Sequence, residues 1–158
     1  MKPVAIALAA ALFAVLAAPA PILAMGSDSP SVAKAAENPD YANGKKAVDE
    51  KNYQVALNHL TKAADKNPKD ADTQNLLGFS HRKLGNFDKA FEHYRLALTI
   101  DPKHRGAHEY IGEAYLETKQ LANAEEHMKA LENLCAICAE RRDLDRAIKD
   151  YKRKNNVS

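Results

Sequence analysis

Glycine recurs at positions 44, 78 and 112, and alanine at 56, 90 and 124, each series at an interval of 34 residues. Pro68 and Pro102 keep the same interval, with Ala136 in the third place. Laid in register, the units span 37–70, 71–104 and 105–138. A period of this length marks supersecondary units that cannot bury their apolar faces alone and must stack on their neighbours. The expected fold class is therefore all-α and repetitive, because Ala, Leu, Lys and Glu dominate between the turns.

The middle unit carries the clearest local signals. Leu77-Gly78 sits in a helix expected from Asp72 to about Leu84. Gly85-Asn86 makes a turn, and Phe87 to Ile100 forms a second helix closed by Asp101-Pro102. Gly78 and Ala90 are expected to face one another where the two antiparallel helices cross. Larger side chains there would push the backbones apart. Leu77, Phe87, Phe91, Tyr94, Leu98 and Ile100 supply apolar faces at helical spacing.

This pattern resembles the tetratricopeptide repeat, a helix–turn–helix unit of about 34 residues. The resemblance covers 37–138 and implies a superhelical stack of three repeats. Two departures stand out. The family's large aromatic early in the first helix is replaced by Asp40, Gln74 and His108, and Asn43 stands where Leu77 and Ile111 stand in the other units. Residues 139–158 are expected to form a capping helix and tail. Leu144, Ala147, Ile148 and Tyr151 fall at i, i+3, i+4 and i+7 with charges between them. That suits a helix covering the open end of a stack; the alternative is an amphipathic helix that binds a partner.

The resemblance also implies a concave groove lined by the first helix of each unit. Carried over position by position, its residues are Tyr41 and Lys45, then Asp72, Asn75, Phe79 and Arg82 beside Lys83. The third unit adds Glu109, Glu113 and Leu116, with Tyr110 and Glu117 alongside. Lys45, Arg82 and Lys83 lie in the first two units and the three glutamates in the third. The expectation is a groove positive at one end and negative at the other, able to orient an extended peptide. The alternative is that these are solvated helix faces. One subclass of the family grips C-terminal carboxylates through an Asn, Lys and Arg clamp. Lys45, Leu76, Gly106 and Tyr110 occupy four of its places, so the clamp is not expected here.

The first residues differ in kind from the rest. Met1-Lys2 precedes an apolar run over 4–18, Pro19 and Pro21 break it, and Ala24 offers a small residue for cleavage. Residues 1–24 are thus expected to be a secretory signal. The run is short of the about 20 apolar residues that span a bilayer. Residues 25–38 read as a flexible leader. The expected location is periplasmic or secreted, with no stable membrane insertion after cleavage. A net charge of +2 suggests no nucleic-acid partner.

Cys135 and Cys138 replace the Asp-Pro that closes the second unit. In an oxidising compartment they are expected to pair in a disulfide that pins the turn before the last helix. Closing so short a loop is worth about 2 kcal/mol before strain. Redox exchange and metal binding are the sharper alternatives, but neither a thioredoxin-like context nor a second ligand pair is visible. His104 and His108, four residues apart, make a weak pair of ligands. No catalytic or nucleotide-binding signature occurs. The chain is expected to be no enzyme, to need no cofactor or metal, and to bind a protein or peptide as a periplasmic scaffold. A thiol-redox or copper-handling factor is the alternative.

Overall fold

The computed structural model describes residues 38–157 as seven helices. They are α1 (Pro39–Asp49), α2 (Tyr53–Lys66), α3 (Ala71–Lys83), α4 (Phe87–Ile100), α5 (Arg105–Glu117), α6 (Leu121–Leu134) and α7 (Ala139–Asn155). Each 34-residue unit holds one antiparallel pair, and α3 packs on α2 and α5 on α4, so successive pairs stack. Helix α7 packs on both α5 and α6. Of the expected signal (1–24) and leader (25–38), residues 1–37 lie outside the described residues, while Asn38 belongs to the start of α1 as its cap.

Local chemistry explains where the helices start and stop. Asn38 caps α1, accepting from the Asp40 N–H at 3.1 Å, and Pro39 takes the first turn, where no N–H is needed. Asn52 caps α2 by accepting from the Val55 N–H at 3.4 Å. The imidazole of His104 does the same for α5, accepting from the Ala107 N–H at 3.0 Å. The turn inside each pair repeats one construction. Asn52, Asn86 and Gln120 donate back to the carbonyls of Ala47, His81 and Tyr115 at 2.8, 2.9 and 2.7 Å. The residue before each is left-handed: Lys51 (φ 59), Gly85 (φ 78) and Lys119 (φ 61). This is a Schellman stop, for which glycine is the unstrained choice, and only the middle unit has it.

The core follows the repeat. Ala56, Ala90 and Ala124 are fully buried. The expected partner of Gly78 needs correction: a Cβ there would sit 2.6–2.7 Å from the ring of Tyr94, one turn beyond Ala90. Gly44 meets Leu60, sixteen residues on, in the same way. Gly112 breaks the series, because its close neighbour is Leu144 of α7 at 2.7 Å. The last helix therefore inserts its own apolar stripe into the third unit. Leu144 and Ile148 are buried with Leu116, Ala124 and Leu131, and Tyr151 packs alongside. Asn43, standing where the other units have Leu77 and Ile111, is exposed.

Candidate functional site

Helices α3, α5 and α7 meet along one face, and its centre is Arg82. This side chain is only 1% exposed, yet it is charged. Nη2 lies 2.6 Å from Glu113 Oε2, and Nη1 donates to Glu117 Oε1 at 2.6 Å. Its guanidinium carbon also stands 5.3 Å from the Phe79 ring centre and 5.7 Å from that of Tyr110. A planar fork that pairs with two carboxylates and lies near two rings is a role Lys would fill poorly. The spacing explains the meeting. Arg82 ends the first helix of its unit, and Glu113 and Glu117 are one turn apart on the facing α5.

This geometry corrects the expected charge order. Arg82 and Glu113 do not mark opposite ends of the groove; they touch, and most of their fields cancel. Arg82 is also too buried to meet a partner's carboxylate directly. Lys45 pairs along its own helix with Asp49 at 3.4 Å. Asp72 is exposed and takes His104 Nε2 at 3.0 Å. Tyr41 is half-buried against the core cluster of the first unit. Asn75 is buried, and its Oδ1 has no partner among the described residues.

The structure does bring Phe79 into a row of rings. Its centre is 6.0 Å from Tyr53, edge to face, and 4.8 Å from Tyr110, with Lys83 Nζ 5.1 Å above it. Beyond Arg82 the face opens into a pocket of about 430 Å³. Leu116, Ala147 and Tyr151 supply apolar walls, and Lys83, Asp150 and Lys154 supply charge. Tyr53, Tyr151 and Lys154 were not among the residues the repeat pattern assigns to the groove. Tyr53 belongs to a second helix, and the other two follow the last full unit. The amphipathic stripe of α7 was the one sequence signal, and it pointed to Tyr151 alone.

Glu109, on the same face, is half-buried. Burial first, then the charges of Glu113, Asp143 and Glu140, push its carboxyl up to about 8; Arg82 opposes this only in part. Glu140 is held by Arg105 at 3.6 Å, and Asp143 by Arg142 and Arg146 at 3.5 Å each. Glu109 has no such cation.

A second constellation lies within the helix pairs. His59, His93 and His127 recur at the 34-residue interval, and each meets the early first-helix residue of its own unit. His59 Nδ1 is 3.6 Å from Asp40, His93 Nδ1 is 2.8 Å from Gln74 Oε1, and His127 Nδ1 is 3.0 Å from His108 Nδ1. These are the three positions where the family pattern has its large aromatic. A polar pair thus stands at that place in every unit, and the recurring histidine was its one signal in the sequence. His104 and His108 do not converge. His104 serves Asp72 and the α5 cap, and His108 lies 3.1 Å from the Pro102 carbonyl. Among the described residues, no group of three or more His, Cys, Asp or Glu is placed to hold a metal ion.

Cys135 ends α6, Cys138 precedes α7, and a disulfide joins them with Cα atoms 6.0 Å apart. Ile137 stands at the tip of the loop, 98% exposed.

A stack of antiparallel helix pairs is the architecture of helical-repeat domains. Residues 71–104 match the tetratricopeptide repeat model, and the fold is that of a tetratricopeptide-repeat stack. Among solved structures it is similar to the TPR2B domain of yeast Sti1 in its pHsp70 complex. The TM-score is 0.67 at 20% identity, over 73% of this chain and 95% of that one. The TPR domain of Arabidopsis OM64 gives 0.66 at 18%, over 72% and 93%. The Yersinia enterocolitica type III secretion chaperone SycD, in complex with a peptide of the translocator YopD, gives 0.64 at 19%, over 74% and 92%. At these identities the likeness concerns the fold. No curated protein matches the sequence. Among the described residues, no helix is long and apolar enough to cross a membrane.

Proposed function

We propose that the chain is an exported interaction scaffold whose concave face holds an extended segment of a partner polypeptide. The observation that carries this reading is the continuous face from Tyr53, Phe79 and Tyr110 to the pocket over Leu116 and Tyr151. Aromatic rings offer large contact area with little rotamer entropy to lose, and a rim of charges sets orientation. The Sti1 and SycD structures are complexes, the latter with a peptide, which supports a groove of this kind as a peptide site. The clamp positions of the chaperone-tail readers hold Lys45, Leu76, Gly106 and Tyr110, so an acidic C-terminal tail is not the occupant we assign. We read the chain as a binder with no catalytic step.

The periplasmic or secreted location rests on the apolar run over 4–18 and the junction at Ala24. Mass spectrometry of the protein from the cell envelope is expected to find a mature N-terminus near Met25; retention of Met1 would contradict export with cleavage. Crosslinking in intact cells followed by affinity capture identifies the partner. Thiol-redox or metal handling at Cys135 and Cys138 separates from this reading cleanly. The double change Cys135→Ser/Cys138→Ser is expected to keep partner capture, whereas a redox or copper factor would lose its function outright.

A further inference from the structure

We infer that the groove selects a segment in which a Lys or Arg lies beside an apolar anchor, the cation seating at Glu109 and the anchor filling the pocket over Leu116, Ala147 and Tyr151. This rests on the groove reading above and adds the chemistry of the occupant.

The argument is one of charge complementarity along an apolar channel. The facing elements contribute Glu109, Glu113 and Glu117 from α5, Glu140, Asp143, Asp150 and Lys154 from α7, and Arg82 and Lys83 from α3. Arg82 is consumed by Glu113 and Glu117 at 2.6 Å each. Arg105, Arg142 and Arg146 hold Glu140 and Asp143. Asp143 and Glu140 still act on Glu109 through space, and among the described residues Glu109 has neither a cation nor a hydrogen-bond donor of its own. Folding thus leaves one half-buried carboxyl short of a positive charge. A segment carrying a carboxylate would add one more negative charge beside Glu109, which Glu113, Asp143 and Glu140 already push up. A cationic segment supplies what the fold omits. The apolar walls of the pocket, about 430 Å³ in volume, give the neighbouring residue a site to desolvate. Lys83 and Lys154 border that pocket. They discourage a second cation there and so fix which way the segment lies.

The test is selection of displayed random dodecapeptides on the mature chain, followed by titration of the enriched peptides against Glu109→Gln and against Ala147→Gln, which fills the pocket from its partly exposed wall. Near-native thermal melts of both variants are required before their binding is compared. The expected result is enrichment of Lys or Arg next to Leu, Phe or Tyr. Glu109→Gln should weaken these peptides about tenfold, with a reduced salt dependence. Native affinity should rise with pH through about 8, where Glu109 ionises beside Glu113, Glu140, Asp143 and Arg82; in Glu109→Gln that rise should vanish. Enriched peptides that are acidic or neutral, and that Ala147→Gln still abolishes, would overturn the cation assignment while leaving the groove as the binding site. Failure to enrich any peptide sensitive to either variant would overturn the groove reading itself.

Discussion

Removing the Arg82 side chain strips Glu113 and Glu117 of the cation they share. Breaking a buried pair from one side costs about 3–5 kcal/mol. Both carboxylates reach solvent, so Arg82→Ala is expected to cost about 2–3 kcal/mol in denaturant unfolding. Lys62→Glu, on an exposed stretch of α2, should stay within about 0.5 kcal/mol. Equal losses in the two variants would mean that Arg82 holds nothing together. Two other single groups dominate the pH response, with His81 and His93 also pulled down by burial. Glu109 binds its proton more tightly folded (about 8) than unfolded, so its contribution is full below its ordinary pKa and is lost as pH rises towards 8. Burial and then His108 pull His127 down to about 4, so its contribution is full above the ordinary imidazole pKa and is lost as pH falls through 4. Stability should thus decline above the ordinary imidazole pKa as Glu109 ionises, and decline on the acid side as His127, with His81 and His93, takes up a proton, by on the order of 1–2 kcal/mol after discounting for partial exposure. Glu109→Gln should remove the alkaline decline and leave stability rising up to the ordinary imidazole pKa; an unchanged profile would refute the assignment. Little of this was legible in the sequence. Linear order placed Arg82 and Glu113 in different units with opposite signs, and only the stacking of α3 on α5 makes them a pair.

At the scale of the element, the repeat was readable because small residues mark where backbones approach, and 34-residue spacing needs no knowledge of contacts. The helix bounds of the middle unit followed from Gly85 and Asp101-Pro102. The matching stops at Lys51 and Lys119 gave no such signal, since lysine does not announce a left-handed residue. Lys119→Gly, which relieves that strain in an exposed turn, is expected to stabilise by about 0.5–1 kcal/mol; a destabilised variant would show that the lysine stem has a packing role. Ala90→Leu forces a side chain into a site with no exposed surface, where Tyr94 already fills the space against Gly78. It should cost about 1–3 kcal/mol, against about 0.5 or less for Lys89→Leu on the exposed side. Equal melting temperatures would remove the basis of the register. The joining of α7 to Gly112 was hidden for a related reason. The glycine announces a close approach and not the element that makes it.

For the whole molecule, three helix pairs and a terminal helix build one concave face, closed at its far end by Tyr151 and Lys154. The face was half legible: repeat positions named Phe79, Arg82, Glu109 and Glu113, but the row of rings needs Tyr53 and the pocket needs α7. The central claim is that the partner lies on this face. A photo-reactive phenylalanine analogue placed at Tyr110, and separately at Lys62 on α2, tests it in living cells. The account predicts that the residue-110 probe crosslinks to a discrete polypeptide, that this product diminishes with Glu109→Gln, and that the residue-62 probe gives no such product. A discrete product from residue 62 with none from residue 110 would place the partner on another surface and contradict the account.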